Sequence, residues 1–325
     1  MNKLDLIIIG GSAAATSAGI YAARRGLNFK IISKDVGGEV ATSGEIGNWP
    51  GDGMTDGLAL ADKFKKHLEM YKVSVDEGVE VEKITEQEDG TFCITAKSDG
   101  PKMAAGKLET ALSGTLKCDY AAKAIIVATG VHPRELNIPG EKEFRNKGVS
   151  YCTTCDGPLF GGKVTAVIGG GNSALEAGLM LAEIASKVYI VNKNPKFKGD
   201  QILIDKLAGN SKVEIIYEAL TKEIRGEQFV SELKYANKAG QEQELKVDGI
   251  FVHIGMMPNS YLVPDKVEKN QFAEIVVNQR CETNIPGLYA AGDVSNIPFK
   301  QIVIAAGQGC TAALSAVEYL NRLNK

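Results

Sequence analysis

Residues 151–160 read YCTTCDGPLF, which places Cys152 and Cys155 two residues apart with an acid, Asp156, directly behind them. Three chemistries use such a pair. A zinc site takes four ligands, usually two cysteine pairs or one pair with spaced histidines. Here Cys93, Cys118, Cys281 and Cys310 stand singly, and His67, His132 and His253 have no matching spacing, so no metal is expected. Two buried structural thiols are the second reading. A redox dithiol is the favoured one, because Cys-x-x-Cys closes a small ring and thiolate character at one sulfur makes exchange fast. Asp156 is placed to give or take a proton at the adjacent sulfur. Asp156-Gly157-Pro158 is also a good turn signal, so the acid has a plain structural reading too. A dithiol does not accept a hydride unaided, whereas a flavin does and passes the electron pair to a disulfide.

Elements able to hold such a cofactor occur twice. Residues 4–9, LDLIII, read as a central parallel strand, apolar on both faces. A glycine turn and a small-residue helix follow, ending at Gly26, and FKIISK is the next strand. The same order returns over residues 163–193, with a strand Val164 to Ile168, the turn Gly169-Gly170-Gly171, and a strand Val188 to Val191. A strand entering a helix through glycines leaves backbone N–H groups free to bind a pyrophosphate. The first turn is Gly10-x-Ser12-x-x-Ala15, with Ser12 where a glycine would let the phosphates approach; on its own it also fits a buried strand–helix turn. The second turn, Gly169-x-Gly171-x-x-Ala174, is nearer the dinucleotide pattern. After its second strand comes Asn192-Lys193-Asn194-Pro195-Lys196-Phe197-Lys198, with neither an acid for ribose hydroxyls nor an arginine pair for a 2′-phosphate. The lysines either grip a phosphate as point charges or form a solvated loop. The fold class is therefore α/β, with two Rossmann-like units. The chemistry is a relay from a reductant through flavin and Cys152–Cys155 to an outside disulfide.

Composition sets the limits. A chain of 325 residues suits two domains, and 44% apolar with 24% charged residues is ordinary for a folded protein. A net charge of −3 gives no nucleic-acid footprint. Six cysteines in this length imply a reducing, cytoplasmic setting in which any disulfide is chemical rather than structural. Leu6 to Ala23 carries no charge and is long enough for a membrane span, but Gly10, Gly11, Ser12, Thr16, Ser17 and Gly19 break it, and no other stretch is read as a span. VEVEKITEQEDGTFCITAKSDG reads as hairpin material, and residues 97–117 as an exposed hairpin or loop. Cys281 and Cys310 read as inert, and Cys118 has no spaced partner.

Four stretches taken in order resemble one family over nearly the whole chain. They are GGEVATSGEIGNWPG (37–51), AIIVATG (124–130), GVSYCTTCDGPLFGGKVTAVIGGGNSALEA (148–177) and GLYAAGDVSNIPFKQIVIAAGQG (287–309). The sequence resembles the low-molecular-weight thioredoxin reductases, and CDGPLF, GIFVHIGMMPN and PFKQI lean towards the flavoprotein subunit of alkyl hydroperoxide reductase. The resemblance implies FAD in a discontinuous domain, residues 1–133 and 254–325, and an NAD(P)-type domain with the redox pair at 134–253. It puts Gly10, Ser12 and Ala15 at the pyrophosphate, Asn48 near the isoalloxazine, Gly292 and Asp293 at the ribityl or phosphate, and Gln301 and Ile302 at the pyrimidine edge. Asp293 also reads as a helix or turn cap. Glu39 and Thr129 are further cofactor positions by the same likeness. Gly169, Gly171, Asn172 and Ser173 take the nicotinamide dinucleotide.

The resemblance also assigns roles. Cys155 faces the flavin, Cys152 attacks the outside disulfide and Asp156 is the acid/base. The second domain then rotates between two orientations, and the chain forms a homodimer through its FAD domains. The hydroperoxide-reductase branch carries an extra N-terminal disulfide domain. This sequence starts at its first flavin strand, so a separate thioredoxin- or glutaredoxin-like partner is expected.

Departures from the pattern leave the donor open. Asn192-Lys193-Asn194 replaces the His-Arg-Arg run of NADPH users, and Lys198 stands where a later arginine would be. Asn192 has a ribose hydroxyl within its chemistry but adds no charge, so NADPH, NADH and ferredoxin all remain. Ser12 and Ala13 replace glycine and proline in the first turn, where Ser12 either donates to a phosphate or loosens FAD. A non-catalytic flavin-binding sensor is the reading from another class.

Overall fold

The computed structural model describes residues 4–97 and 118–323, so the loop expected at 97–117 lies, beyond Lys97, outside the described residues. The chain divides into two compact units, one made of Met1–His132 with Met257–Lys325 and the other of Pro133–Met256.

In the first unit, strand Leu4–Ile9 runs parallel between Phe29–Ser33 and Tyr120–Val127. Side chains alternate across a strand, so one apolar run feeds two cores. Leu6 and Ile8 pack with Ala15, Ala18 and Ala22 of the following helix and with Ala312 and Ala316 near the C-terminus. Ile7 and Ile9 pack on the opposite face with Phe92, Ile125 and Val294. Val75–Glu77 adds a parallel strand beyond Phe29–Ser33. Leu288–Ala290 pairs in parallel with the end of Tyr120–Val127, whose start takes Phe92–Ala96 antiparallel. Phe92–Ala96 and Val81–Glu86 form the hairpin read from the sequence.

Helix Ala13–Arg24 packs along the last helix, Ile302–Leu323. The approach is close, since a Cβ at Gly309 would lie 2.0 Å from the Ala14 carbonyl oxygen. Ile302–Leu323 corrects one expectation: by length and composition alone this helix is also sufficient to cross a membrane. Its small residues Gly309, Ala312, Ala313, Ser315 and Ala316 are instead buried inside the unit.

A second correction concerns cysteine. Cys93 and Cys118 are joined in a disulfide, with Cα atoms 5.5 Å apart. Twenty-five residues of sequence separate them, which hid the pairing from a spacing argument. The antiparallel pairing of Phe92–Ala96 with Tyr120–Val127 brings them together, and the Asp119 N–H donates to the Ile94 carbonyl at 2.9 Å beside the bridge. The bridge corrects the reading that Cys118 has no partner.

The second unit has a five-stranded parallel sheet in the order Val149–Ser150, Gly249–Val252, Val164–Ile168, Lys187–Val191, Val213–Ile216. Ala166 and Ile168 face one core, and Val167 faces the other under helix Asn172–Ile184. Leu220–Gly226, Val230–Ala236 and Glu242–Lys246 form a separate antiparallel sheet.

The bridge makes a stability prediction. Cys118→Ser should lower the unfolding free energy by about 3 kcal/mol without reductant, from lost loop constraint. Urea denaturation with dithiothreitol should bring the wild type down to the variant; equal curves with and without reductant would deny the bridge.

Candidate functional site

The redox pair lies at the end of strand Val149–Ser150. Cys152 and Cys155 are bonded to each other, Cα to Cα 5.3 Å. Cys152 caps the short helix Thr153–Asp156, its sulfur accepting the Cys155 N–H at 3.3 Å. Cys155 is exposed and Cys152 half-buried. Three hydrogen bonds anchor this turn. Tyr151 donates to the fully buried Glu141 carboxylate at 2.9 Å, and Glu141 also accepts the backbone N–H groups of Leu136 and Asn137. Thr153 Oγ1 and His253 Nε2 share a hydrogen bond of 2.7 Å. Ser150 Oγ donates to Asp156 Oδ2 at 2.5 Å.

Asp156 therefore does not act as a cap for the 3-10 turn Gly157–Phe160 that follows it. Burial raises its carboxyl above the ordinary aspartate range, and the Ser150 bond pulls the other way. Burial also pushes the His253 imidazole down to about 4, so it is neutral at physiological pH. Among the described residues, no group of three or more His, Cys, Asp or Glu is placed to hold a metal ion.

The two glycine turns are built alike. Gly10 has φ +133, and a Cβ there would lie 2.2 Å from the Ala128 carbonyl oxygen. Gly169 has φ +150, and a Cβ there would lie 2.2 Å from the His253 carbonyl oxygen. Both are positions only glycine fits. They differ two residues on. Gly171 has open space where a Cβ would stand, directly ahead of helix Asn172–Ile184, which is the cradle a dinucleotide pyrophosphate needs. In the first turn Ser12 occupies that place, ahead of Ala13–Arg24, and its hydroxyl makes no cap bond, which leaves it available to a phosphate. Ala15 is buried in the first turn of the same helix.

Around the first turn the unit collects the other positions expected for FAD. Asn48 Nδ2 donates to Gln301 Oε1 at 3.2 Å, and Gln301 directly precedes Ile302 at the start of the last helix. Glu39 accepts from Thr42 and pairs with His132 Nδ1 at 2.7 Å, which raises the imidazole above its usual value. Asp293 follows the left-handed Gly292. No described residue donates a hydrogen bond to its carboxyl. Burial lifts it to about 6, with Lys300 opposing and the Glu39 and Glu274 charges adding to the rise. A carboxyl without a protein partner, an uncapped helix start and an idle hydroxyl fit a bound flavin dinucleotide. Thr129 Oγ1 donates to the Asn259 carbonyl while Asn259 Nδ2 returns a bond to the Thr129 carbonyl.

In the second unit, Ser173 is exposed on the first turn of its helix. Asn172 folds the neighbouring loop, accepting the Asp200 N–H at 2.8 Å. Asn192, whose chemistry allows a bond to a ribose hydroxyl, is turned into its own loop. It is 2% exposed, its Oδ1 accepts the Asn194 N–H and its Nδ2 donates to the Lys196 carbonyl. Lys193, Lys196 and Lys198 are exposed, and no carboxylate among the described residues pairs with them.

Two residues escaped the sequence reading. Gln308 Oε1 accepts the Gly292 N–H at 2.8 Å and so sets the Asp293 loop; it lies inside the stretch AAGQG that carried the resemblance. Ser150 had no signal beyond standing two residues before Cys152.

The family described as pyridine nucleotide-disulphide oxidoreductase matches residues 4–309. The chain is 40% identical over 320 residues to an alkyl hydroperoxide reductase subunit of Escherichia coli strain K12, covering 98% of this chain and 58% of that protein. It is 38% identical over 319 residues to an NADH dehydrogenase of Bacillus subtilis strain 168, covering 98% and 59%. It thus spans less than two thirds of these curated relatives. Among solved structures, a thioredoxin reductase of Streptococcus pyogenes MGAS5005 superposes with a TM-score of 0.87 at 32% identity, covering 98% of this chain and 99% of that one.

The glycines and Asp293 make separable predictions. Gly169→Ala should cost at least about 2 kcal/mol of stability, whereas Gly171→Ala should stay within about 0.5 kcal/mol of wild type. Calorimetry should nonetheless show Gly171→Ala weakening nicotinamide dinucleotide binding by at least about tenfold. Asp293 has a folded pKa above its unfolded value, so its ionisation opposes folding, fully above about pH 6 and not at all below about pH 3. Asp293→Asn should then stabilise the cofactor-free chain by about 3 kcal/mol at pH 8 and by nothing below about pH 3. A gain that does not change with pH would contradict this.

Proposed function

The chain belongs to the pyridine nucleotide-disulphide oxidoreductase family, oxidoreductases acting on sulfur groups with FAD and NAD(P)H, and from that premise we propose a flavin-dependent reductase of protein disulfides. Its electrons come from NAD(P)H, and its acceptor is a thioredoxin- or glutaredoxin-like protein. The observation that carries the reading is the Cys152–Cys155 disulfide, held at a strand end beside an acid of raised pKa, in the unit that also holds the open turn at Gly171.

Gly10, Ser12, Ala15, Asp293 and the Asn48–Gln301 pair would hold FAD, and Gly169 and Gly171 the nicotinamide dinucleotide. When bound, FAD supplies a hydride acceptor able to return two electrons to the cystine. The remaining chemistry belongs to the chain. Once the pair is a dithiol, the Cys152 thiolate attacks one sulfur of the partner disulfide. That bond breaks, a mixed disulfide forms and the first partner thiolate leaves to be protonated by solvent. Cys155 then attacks the Cys152 sulfur, and Asp156 takes the proton that the Cys155 thiol gives up. The cystine re-forms, the second partner thiolate leaves, and two electrons have moved from the pair to the partner.

Residues 192–198 bear on the donor. With the Asn192 amide used inside its own loop, the unpaired Lys193, Lys196 and Lys198 are the groups able to meet an extra phosphate. The missing acid supports the second reading, in which ferredoxin or another non-nicotinamide donor feeds the same relay.

Anaerobic titration of the yellow protein with NADH and with NADPH tests the donor. Fast bleaching of the flavin band by either nucleotide supports the first reading; bleaching by reduced ferredoxin alone supports the second. Cys152→Ser should abolish reduction of the partner disulfide while leaving flavin bleaching intact. Partner turnover by that variant would overturn the roles given to the two sulfurs.

A further inference from the structure

Ser150 is a buried hydroxyl, 5% exposed, at the last position of its strand, where it pairs with Phe251. Its oxygen meets three groups. It donates to Asp156 Oδ2 at 2.5 Å, accepts the Cys152 N–H at 3.1 Å, and lies 3.4 Å from the Cys152 carbonyl oxygen. A serine hydroxyl has one hydrogen and two acceptor sites. The Cys152 N–H takes one acceptor site whatever else happens. The single hydrogen must therefore choose between the Asp156 carboxylate and the Cys152 carbonyl.

We propose that Ser150 is a positioning residue for Asp156, coupling the protonation of that carboxyl to the backbone of Cys152. When Asp156 is ionised, the Ser150 hydrogen points to it and holds it against the turn. When Asp156 gains a proton, that proton is donated to the Ser150 oxygen and the Ser150 hydrogen turns to the Cys152 carbonyl. No bond other than hydrogen bonds changes, and the net event is uptake of one proton by the carboxyl. The inference deepens the disulfide-reductase reading, since it rests on Asp156 as the proton carrier for Cys155.

The setting makes the hydroxyl decisive. Burial and the Ser150 bond are the two influences acting on the Asp156 carboxyl, and no charged side chain contributes. Cys152 and Cys155 of the same turn are bonded to each other and become titratable only on reduction. From the packed strand end His253 reaches the turn through Thr153, and it is held neutral. A buried carboxylate without a charged neighbour depends on neutral donors to stay ionised. The Ser150 hydroxyl is the donor present.

The test reads Asp156 directly and exchange separately. Carbon-13 NMR of aspartate-labelled, dithiothreitol-reduced holoprotein follows the Asp156 carboxyl, assigned with Asp156→Asn. The same proteins are mixed with an aryl disulfide, 5,5′-dithiobis(2-nitrobenzoate), and the exchange rate is recorded against pH. Ser150→Ala should move the Asp156 midpoint up by about one pH unit, and the pH-dependent limb of exchange with it. Ser150→Thr, which keeps the hydroxyl, should restore both. Ser150→Ala should not move the limb in an Asp156→Asn background. An Asp156 midpoint unmoved in Ser150→Ala, or an equal shift in both Ser150→Ala and Ser150→Thr, overturns the proposal. If the midpoint moves as expected but Asp156→Asn leaves the exchange limb in place, the coupling through Ser150 stands and the proton-carrier reading of Asp156 falls.

Discussion

Two backbone oxygens set the conditions for everything else. The Ala128 carbonyl stands where a side chain at residue 10 would begin, and the His253 carbonyl does the same at residue 169. Only a glycine passes such a point, and it passes with positive φ, which swings the chain out of the sheet and into a helix. Each oxygen belongs to the segment leaving the adjacent parallel strand, so the contact also fixes how closely strand and crossover pack. From that geometry come the direction of the next helix and the cluster of N–H groups at its start. The two units then specialise through the residues just beyond the constrained glycine. One presents a hydroxyl, and the same unit carries the Asp293 carboxyl, to which no described residue donates a hydrogen bond. The other presents bare backbone.

The redox turn has a different support. A cystine that opens and closes must keep its two sulfurs near each other in both states, on a helix of only four residues. Such a helix has little stability of its own. The turn is held by three hydroxyls: Tyr151 donates to the buried Glu141, Ser150 donates to Asp156 at the far end of the turn, and Thr153 shares a bond with His253. Glu141 carries the largest share, since three donors converge on one fully buried carboxylate. The apolar surroundings that make those bonds strong also raise the Asp156 carboxyl, so anchoring and proton chemistry share one cause.

What was legible in the sequence was local. Both glycine turns, the strands on either side of them and the Cys-x-x-Cys-Asp unit are short patterns whose meaning depends on neighbours a few residues away, and these appeared with the expected geometry. The Asn48–Gln301 contact joins residues 253 apart and was reachable only through resemblance. The Cys93–Cys118 bridge was not legible, because the pairing of two strands distant in sequence, rather than a spacing, brings the two segments side by side. The direction of the Asn192 side chain was not legible for a related reason. Composition shows an amide at the right place, but the direction of its side chain, inward to Lys196 and Asn194, is set by how the loop closes. Ile302–Leu323 has the apolarity of a spanning helix, and only its partner helix reveals what the small residues face.

The order in which the units are written along the chain carries a consequence for biosynthesis. Residues 133–256 form one uninterrupted stretch, so the second unit has all its strands as soon as that stretch has been translated. The first unit is in the opposite position. Its central strand precedes that stretch, yet Ala312, Ala313, Ala316 and Leu320, which pack with Leu6 and Ile8, follow it. Helix Ala13–Arg24 covers Leu6 and Ile8 in part as soon as it forms, and the remaining cover arrives only after the whole second unit has been translated. Domains commonly fold as they appear, N-terminal first; here the first unit is begun before the second and completed after it.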